Sequence, residues 1–66
     1  MEFREVLTRT RKARGLSQEE LASRLGVSRQ AVSKWESGAS DPSTTNLLAL
    51  AKLFGVSAEE LLKEAQ

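Results

Sequence analysis

Three times in this chain a glycine, an apolar residue and a serine follow one another: Gly15-Leu16-Ser17, Gly26-Val27-Ser28 and Gly55-Val56-Ser57. Each triplet can pass one helix into the next with almost no loop. The glycine can end a helix in the left-handed conformation. The serine can cap the helix that follows. The apolar residue can pack on the residue four beyond the serine, pairing Leu16 with Leu21, Val27 with Val32 and Val56 with Leu61. These are local joints, not a tandem domain repeat. They predict an all-α chain of short helices folded back on one another.

Apolar periodicity places the helices between the joints. Phe3, Val6, Leu7 and Thr10 recur at three- and four-residue spacing, which predicts a first helix over about Glu2–Arg14. Arg11, Lys12 and Arg14 near its end suit the negative pole of the helix dipole and are compatible with phosphate contact. A second helix, about Gln18–Leu25, turns Leu21, Ala22 and Leu25 inward. A third covers about Arg29–Ser37. After a Gly38–Pro42 loop, a fourth helix starts at Ser43, or else at Pro42 with Asp41 before it, and runs to about Phe54. Its Leu47, Leu48, Leu50, Leu53 and Phe54 spread around most of the circumference. That predicts a core hub buried on several sides, with room for one stripe to face a dimer partner. A fifth helix, about Ala58–Ala65, puts Ala58, Leu61, Leu62 and Ala65 on one face. Sixty-six residues of this kind make one domain.

The joints differ at the first turn that follows each. After Ser17 come Gln18, Glu19 and Glu20; after Ser57 come Ala58, Glu59 and Glu60. Both put acids at the positive end of the dipole, with a glutamate in capping-box position. After Ser28 come Arg29, Gln30 and Ala31. That choice forgoes a few tenths to ~1 kcal/mol of helix stability. It makes sense if an external anion approaches this helix end. At 100° per residue, Arg29, Gln30, Ser33, Lys34 and Ser37 share a ~140° arc free of acids and large apolar groups. Long donors and small hydroxyls of this kind read base edges and phosphates. Val32 and Trp35 lie opposite with Ala31, which makes Trp35 a core anchor.

Composition narrows the functions. There is no cysteine and no histidine, which removes disulfides, the usual zinc ligands and the commonest general base. The chain has no paired acids in an evident pocket and no glycine-rich phosphate loop, so it is not expected to be an enzyme. No cofactor or metal is expected. No apolar run approaches the ~20 residues that span a bilayer, and Met1-Glu2-Phe3-Arg4 is unlike a signal peptide. A cytoplasmic protein without membrane contact is the expectation. The net charge is only +1, but residues 1–34 carry +4 and residues 35–66 carry −3. One half is basic enough to face a polyanion while the acidic end turns away.

At Leu21, Ala22, Leu25, Gly26, Val27, Val32 and Trp35 the chain resembles the helix-turn-helix of the lambda-repressor/Cro-like family, also called the XRE family. The likeness extends over Gly15–Ala22, Gly26–Gly38, Pro42-Ser43 and Leu50–Ser57. It implies a compact five-helix domain over residues 1–66, with helices 2 and 3 forming the motif and helix 3 lying in the major groove. Ala22 would be small because helices 2 and 3 cross closely there. By this resemblance Arg29, Gln30, Ser33 and Lys34 would read bases. Gln18, Ser28, Ser37, Ser43 and Thr44 would contact phosphate, the last two through nearby backbone. Arg11 and Glu36 match a pair that forms an internal salt bridge in phage repressors.

The implied partner is double-stranded DNA, as a palindromic operator bound by a homodimer. The implied function is transcriptional regulation, with repression favoured over activation. An antitoxin or protein-interaction module on the same fold is the alternative; acids in the Arg29–Lys34 arc would have favoured it, and there are none. Two positions depart from the family pattern: Val6 stands where a polar or basic residue is common, and Thr10 where an aliphatic one is. Asp41 occupies a loop position where some relatives carry cations.

Overall fold

Five helices follow one another in the structure, a computed structural model that describes residues 2–64 (backbone only at 63 and 64): α1 (Phe3–Ala13), α2 (Gln18–Leu25), α3 (Arg29–Ser37), α4 (Thr44–Phe54) and α5 (Ala58–Glu64). The expected bounds of α2 and α3 hold to the residue. At α1 the helix is shorter than expected, because Glu2 is extended and Arg14 has left helical geometry. Ser43 is not the first helical residue of α4 but its cap, with Oγ accepting from Asn46 N–H at 3.2 Å. The expected end of helix 5 at Ala65 lies outside the described residues. The architecture is all-α.

The joints close as their chemistry demands. Leu16, Val27 and Val56 each donate a backbone N–H to the carbonyl five residues back, on Arg11, Ala22 and Ala51. This bond caps a helix only if the preceding residue is left-handed. Gly26 meets that need at φ 73°, and a Cβ there would meet no atom within 4 Å. Gly38 ends α3 in the same way, with Ala39 N–H bonded to Lys34 O at 2.9 Å, although no serine follows it directly. Ser17 and Glu20 form a complete capping box. Ser57 Oγ accepts from Glu60 N–H at 3.0 Å. Leu16 and Val27 pack on the core as staples, whereas Val56 is left exposed.

The core gathers Val6, Leu7, Leu21, Ala22, Val32, Trp35, Leu50, Ala51, Phe54 and Leu61. Val6, which departs from the family pattern, is fully enclosed. The hub expectation for α4 holds on one side only. Leu50, Ala51 and Phe54 are buried, while Leu48 is 56% exposed. On α5, Leu61 is buried and Leu62 is exposed, so the two do not share one inward face. Arg14 closes the back of the domain: Nη2 donates to Phe54 O at 2.5 Å, and the guanidinium lies 5.9 Å from the Phe54 ring centre. A cation thus sits at the C-terminus of α4, where the dipole favours it.

An ion pair ties α3 to α1. Arg11 Nε and Nη2 donate to Glu36 Oε2 and Oε1 at 2.7 and 3.0 Å, and Nη1 donates to Leu16 O at 2.8 Å. The two side chains are 10% and 6% exposed. Burial works against the charged carboxylate, but hydrogen bonds from Arg11 and Gln18, with the Arg11 charge, outweigh it and hold the Glu36 pKa below the ordinary value. The stability this confers is full above about pH 4.5 and is lost as pH falls through the lower folded-state value.

Gly26→Ala should cost about 1–2 kcal/mol by urea unfolding, because left-handed strain is the only penalty at this open site. Glu36→Ala should lower stability by about 2–3 kcal/mol, since it strands Arg11 in a poorly solvated place. An unaltered melt would show that the pair contributes nothing. Glu36→Gln should flatten the acid limb of stability against pH, measured by thermal melts across the acid range.

Candidate nucleic-acid interface

α3 exposes a polar strip because its other side is used up. Val32 and Trp35 are buried and Ala31 is packed against the core. That leaves Arg29, Gln30, Lys34 and Ser37 exposed and Ser33 half-buried on the opposite arc. The helix starts at Ser28, whose Oγ accepts from Ala31 N–H at 3.1 Å. Its first turn contains no acid, unlike those of α2 and α5. The positive pole of the dipole is therefore unneutralised by side chains, and Arg29 adds a charge of the same sign. Such an end accepts an anion from outside more readily than it tolerates being left alone.

Gln18 joins this strip to the ion pair. Its Nε2 donates to Glu36 Oε1 at 3.1 Å, and its Oε1 accepts a long contact from Arg29 Nη1 at 3.5 Å. Side chains thus link Arg11, Glu36, Gln18 and Arg29 across α1, α2 and α3. Every buried side-chain nitrogen and oxygen among the described residues has a partner. The network's one carboxyl is held below its ordinary value, and its other members are guanidinium and amide groups. Its use is to hold Arg29 and Gln18 in place.

The remaining candidates fall into separate groups. Ser28 caps α3, and Gln18, the first residue of α2, reaches Arg29 at the start of α3. Ser37 lies at its end, where Oγ donates to Lys34 O at 3.2 Å and accepts from Ala39 N–H at 3.3 Å. Ser43 and Thr44 begin α4. Ser43 Oγ is used by Asn46 N–H, whereas the N–H groups of Thr44 and Thr45 have no acceptor among the described residues. They are ordinary first-turn donors open to solvent. Among the described residues there is no group of His, Cys, Asp or Glu that could hold a metal ion, and no helix is long and apolar enough to cross a membrane.

Sequence reasoning missed two features. It placed Gln18 as an anchor for phosphate without its bonds to Glu36 and Arg29. It placed Arg14 with the dipole of α1, not at the end of α4. Both depend on side chains brought together over long separations, 18 residues for Gln18–Glu36 and 40 for Arg14–Phe54. Only the Arg11–Glu36 match gave a hint of the first.

A helix-turn-helix family model matches residues 7–61. The chain is 48% identical over 62 residues to the HTH-type transcriptional activator BcrR of Enterococcus faecalis, covering 94% of this chain and 30% of that protein. It is 39% identical over 61 residues to the SPbeta prophage-derived HTH-type transcriptional regulator YonR of Bacillus subtilis, covering 92% of this chain and 56% of that one. The chain therefore spans about a third to about half of the length of these curated relatives. Among solved structures it is similar to the P22 c2 repressor in complex with a synthetic operator, with a TM-score of 0.88 and 36% identity over 96% of each chain. Together with the five-helix fold and the α2–α3 joint at Gly26, these matches show that the chain belongs to the lambda-repressor-like (XRE) helix-turn-helix family.

Proposed function

We propose that this domain binds double-stranded DNA sequence-specifically and regulates transcription, with α3 in the major groove. The observation that carries this reading is the acid-free face of α3. Arg29, Gln30 and Lys34 project from a helix whose inner side is locked by Val32 and Trp35. The likeness to an operator-bound repressor supports the same placement.

Arg29 stands at the start of α3 with its fork available for a guanine, and Gln30 can pair with an adenine. Ser33 and Lys34 continue the reading strip. Gln18, Ser28, Ser37 and the start of α4 at Ser43 and Thr44 supply phosphate contacts that fix register without reading sequence. The basic half draws DNA in by releasing counterions. Two copies related by a two-fold axis would place their α3 helices ~34 Å apart on a palindrome. Exposed Leu48 on α4 leaves apolar surface for such pairing. Repression follows when the bound site overlaps a promoter; no catalysis and no cofactor are needed, and the protein acts in the cytoplasm.

Selection of bound duplexes from a random pool should enrich a palindromic site. Failure to enrich any sequence would overturn the reading. On the enriched site Arg29→Ala should cost about 1–3 kcal/mol and relax base choice at one position per half-site. An unchanged binding isotherm would remove Arg29 from the reading strip.

A further inference from the structure

Arg4, Thr8 and Arg11 are spaced by four and three residues, so they form one stripe along α1. The stripe faces the last turn of α3. Arg11 is consumed by Glu36. The Thr8 hydroxyl donates to Arg4 O at 2.8 Å. Arg4 reaches Gly38, the residue that ends α3. A Cβ built on Gly38 would lie 2.6 Å from Arg4 Nη1 and 3.2 Å from Arg4 Cδ. The guanidinium therefore rests against the backbone at this helix end, in a space that any side chain at 38 would invade.

Arg4 is otherwise uncommitted. It is exposed, and its N–H donors have no hydrogen-bond or ion-pair partner among the described residues, Asp41 included. A cation is electrostatically welcome at a helix C-terminus. Next to it, Ser37 closes the polar strip of α3. α3 thus carries Arg29 at one end and Arg4 at the other, across nine residues or ~14 Å.

We propose that Arg4 is a DNA-backbone contact, supplied by α1 and delivered to the C-terminal end of α3, where it takes a phosphate through its guanidinium fork. This rests on the DNA-binding reading above. The contact adds no base recognition. It holds the far end of α3 against the duplex, so that the helix is secured at both ends and not by its first turn alone. A guanidinium suits the task because two parallel N–H groups match two phosphate oxygens.

The test is a salt titration of DNA affinity for the wild type, Arg4→Gln and Arg4→Lys, on the selected duplex and on an unrelated one. For Arg4→Gln the slope of log K against log salt should become shallower by about 0.9, the value of one released counterion. Affinity should fall by a similar factor on both duplexes, since a phosphate contact does not discriminate. Arg4→Lys should restore the slope. An unchanged slope for Arg4→Gln overturns the proposal, and an unchanged slope with a lowered melting temperature shows that Arg4 serves only the end of α3. If the wild type binds neither duplex, the DNA-binding reading itself falls, whatever Arg4 does.

Discussion

A single guanidinium holds this domain's geometry. Arg11 sits on α1, binds Glu36 on α3 with two hydrogen bonds and spends a third on Leu16 O, in the joint that leads to α2. Three segments converge on one planar group. Taking such a pair out of water offsets much of its attraction, so its net contribution to stability is modest. What it secures is direction, because planar partners with matched forks tolerate little rotation. The apolar contacts of Val32 and Trp35 give α3 its adhesion to the core; Arg11 and Glu36 restrict how the helix lies there.

The rest of the fold is assembled from local decisions. Each joint is settled within about six residues by a left-handed glycine, a backbone bond five residues back and a serine cap. This is why α2 and α3 were legible to the residue: Ser17, Gly26, Ser28 and Gly38 carry their own boundary chemistry. α4 was legible less sharply. Pro42 and Ser43 are both acceptable starts by local rules, but the bond from Asn46 N–H to Ser43 Oγ makes Ser43 the cap and Thr44 the first helical residue. The apolar residues of α4 overstated its burial, because a Leu at position 48 obeys the same propensity whether a neighbour covers it or not.

The candidate interface divides in the same way. Its strip on α3 could be read from periodicity and from the missing acids, since both are properties of nine consecutive residues. The pivot at Gln18 and the latch from Arg14 to Phe54 could not. They depend on where long side chains find donors and acceptors after the helices have packed. Val56 marks the converse limit. It matches the staple pattern of Leu16 and Val27, yet it is left exposed.

The carboxamide of Gln18 has a polarity, and that polarity links three positions. Glu36 can only accept, so it draws the amide nitrogen and leaves the oxygen toward Arg29. If the residue at 29 were to become an acceptor, the oxygen would face another oxygen. The amide could turn over only by giving up Glu36. Changes at 18, 29 and 36 are therefore not independent, although 36 lies behind the exposed strip of α3. If the strip reads DNA as proposed, a drift toward a new target sequence that begins at 29 would bring compensating changes at 18 and 36, so that a change in recognition would be recorded partly in Glu36, which lies behind the strip.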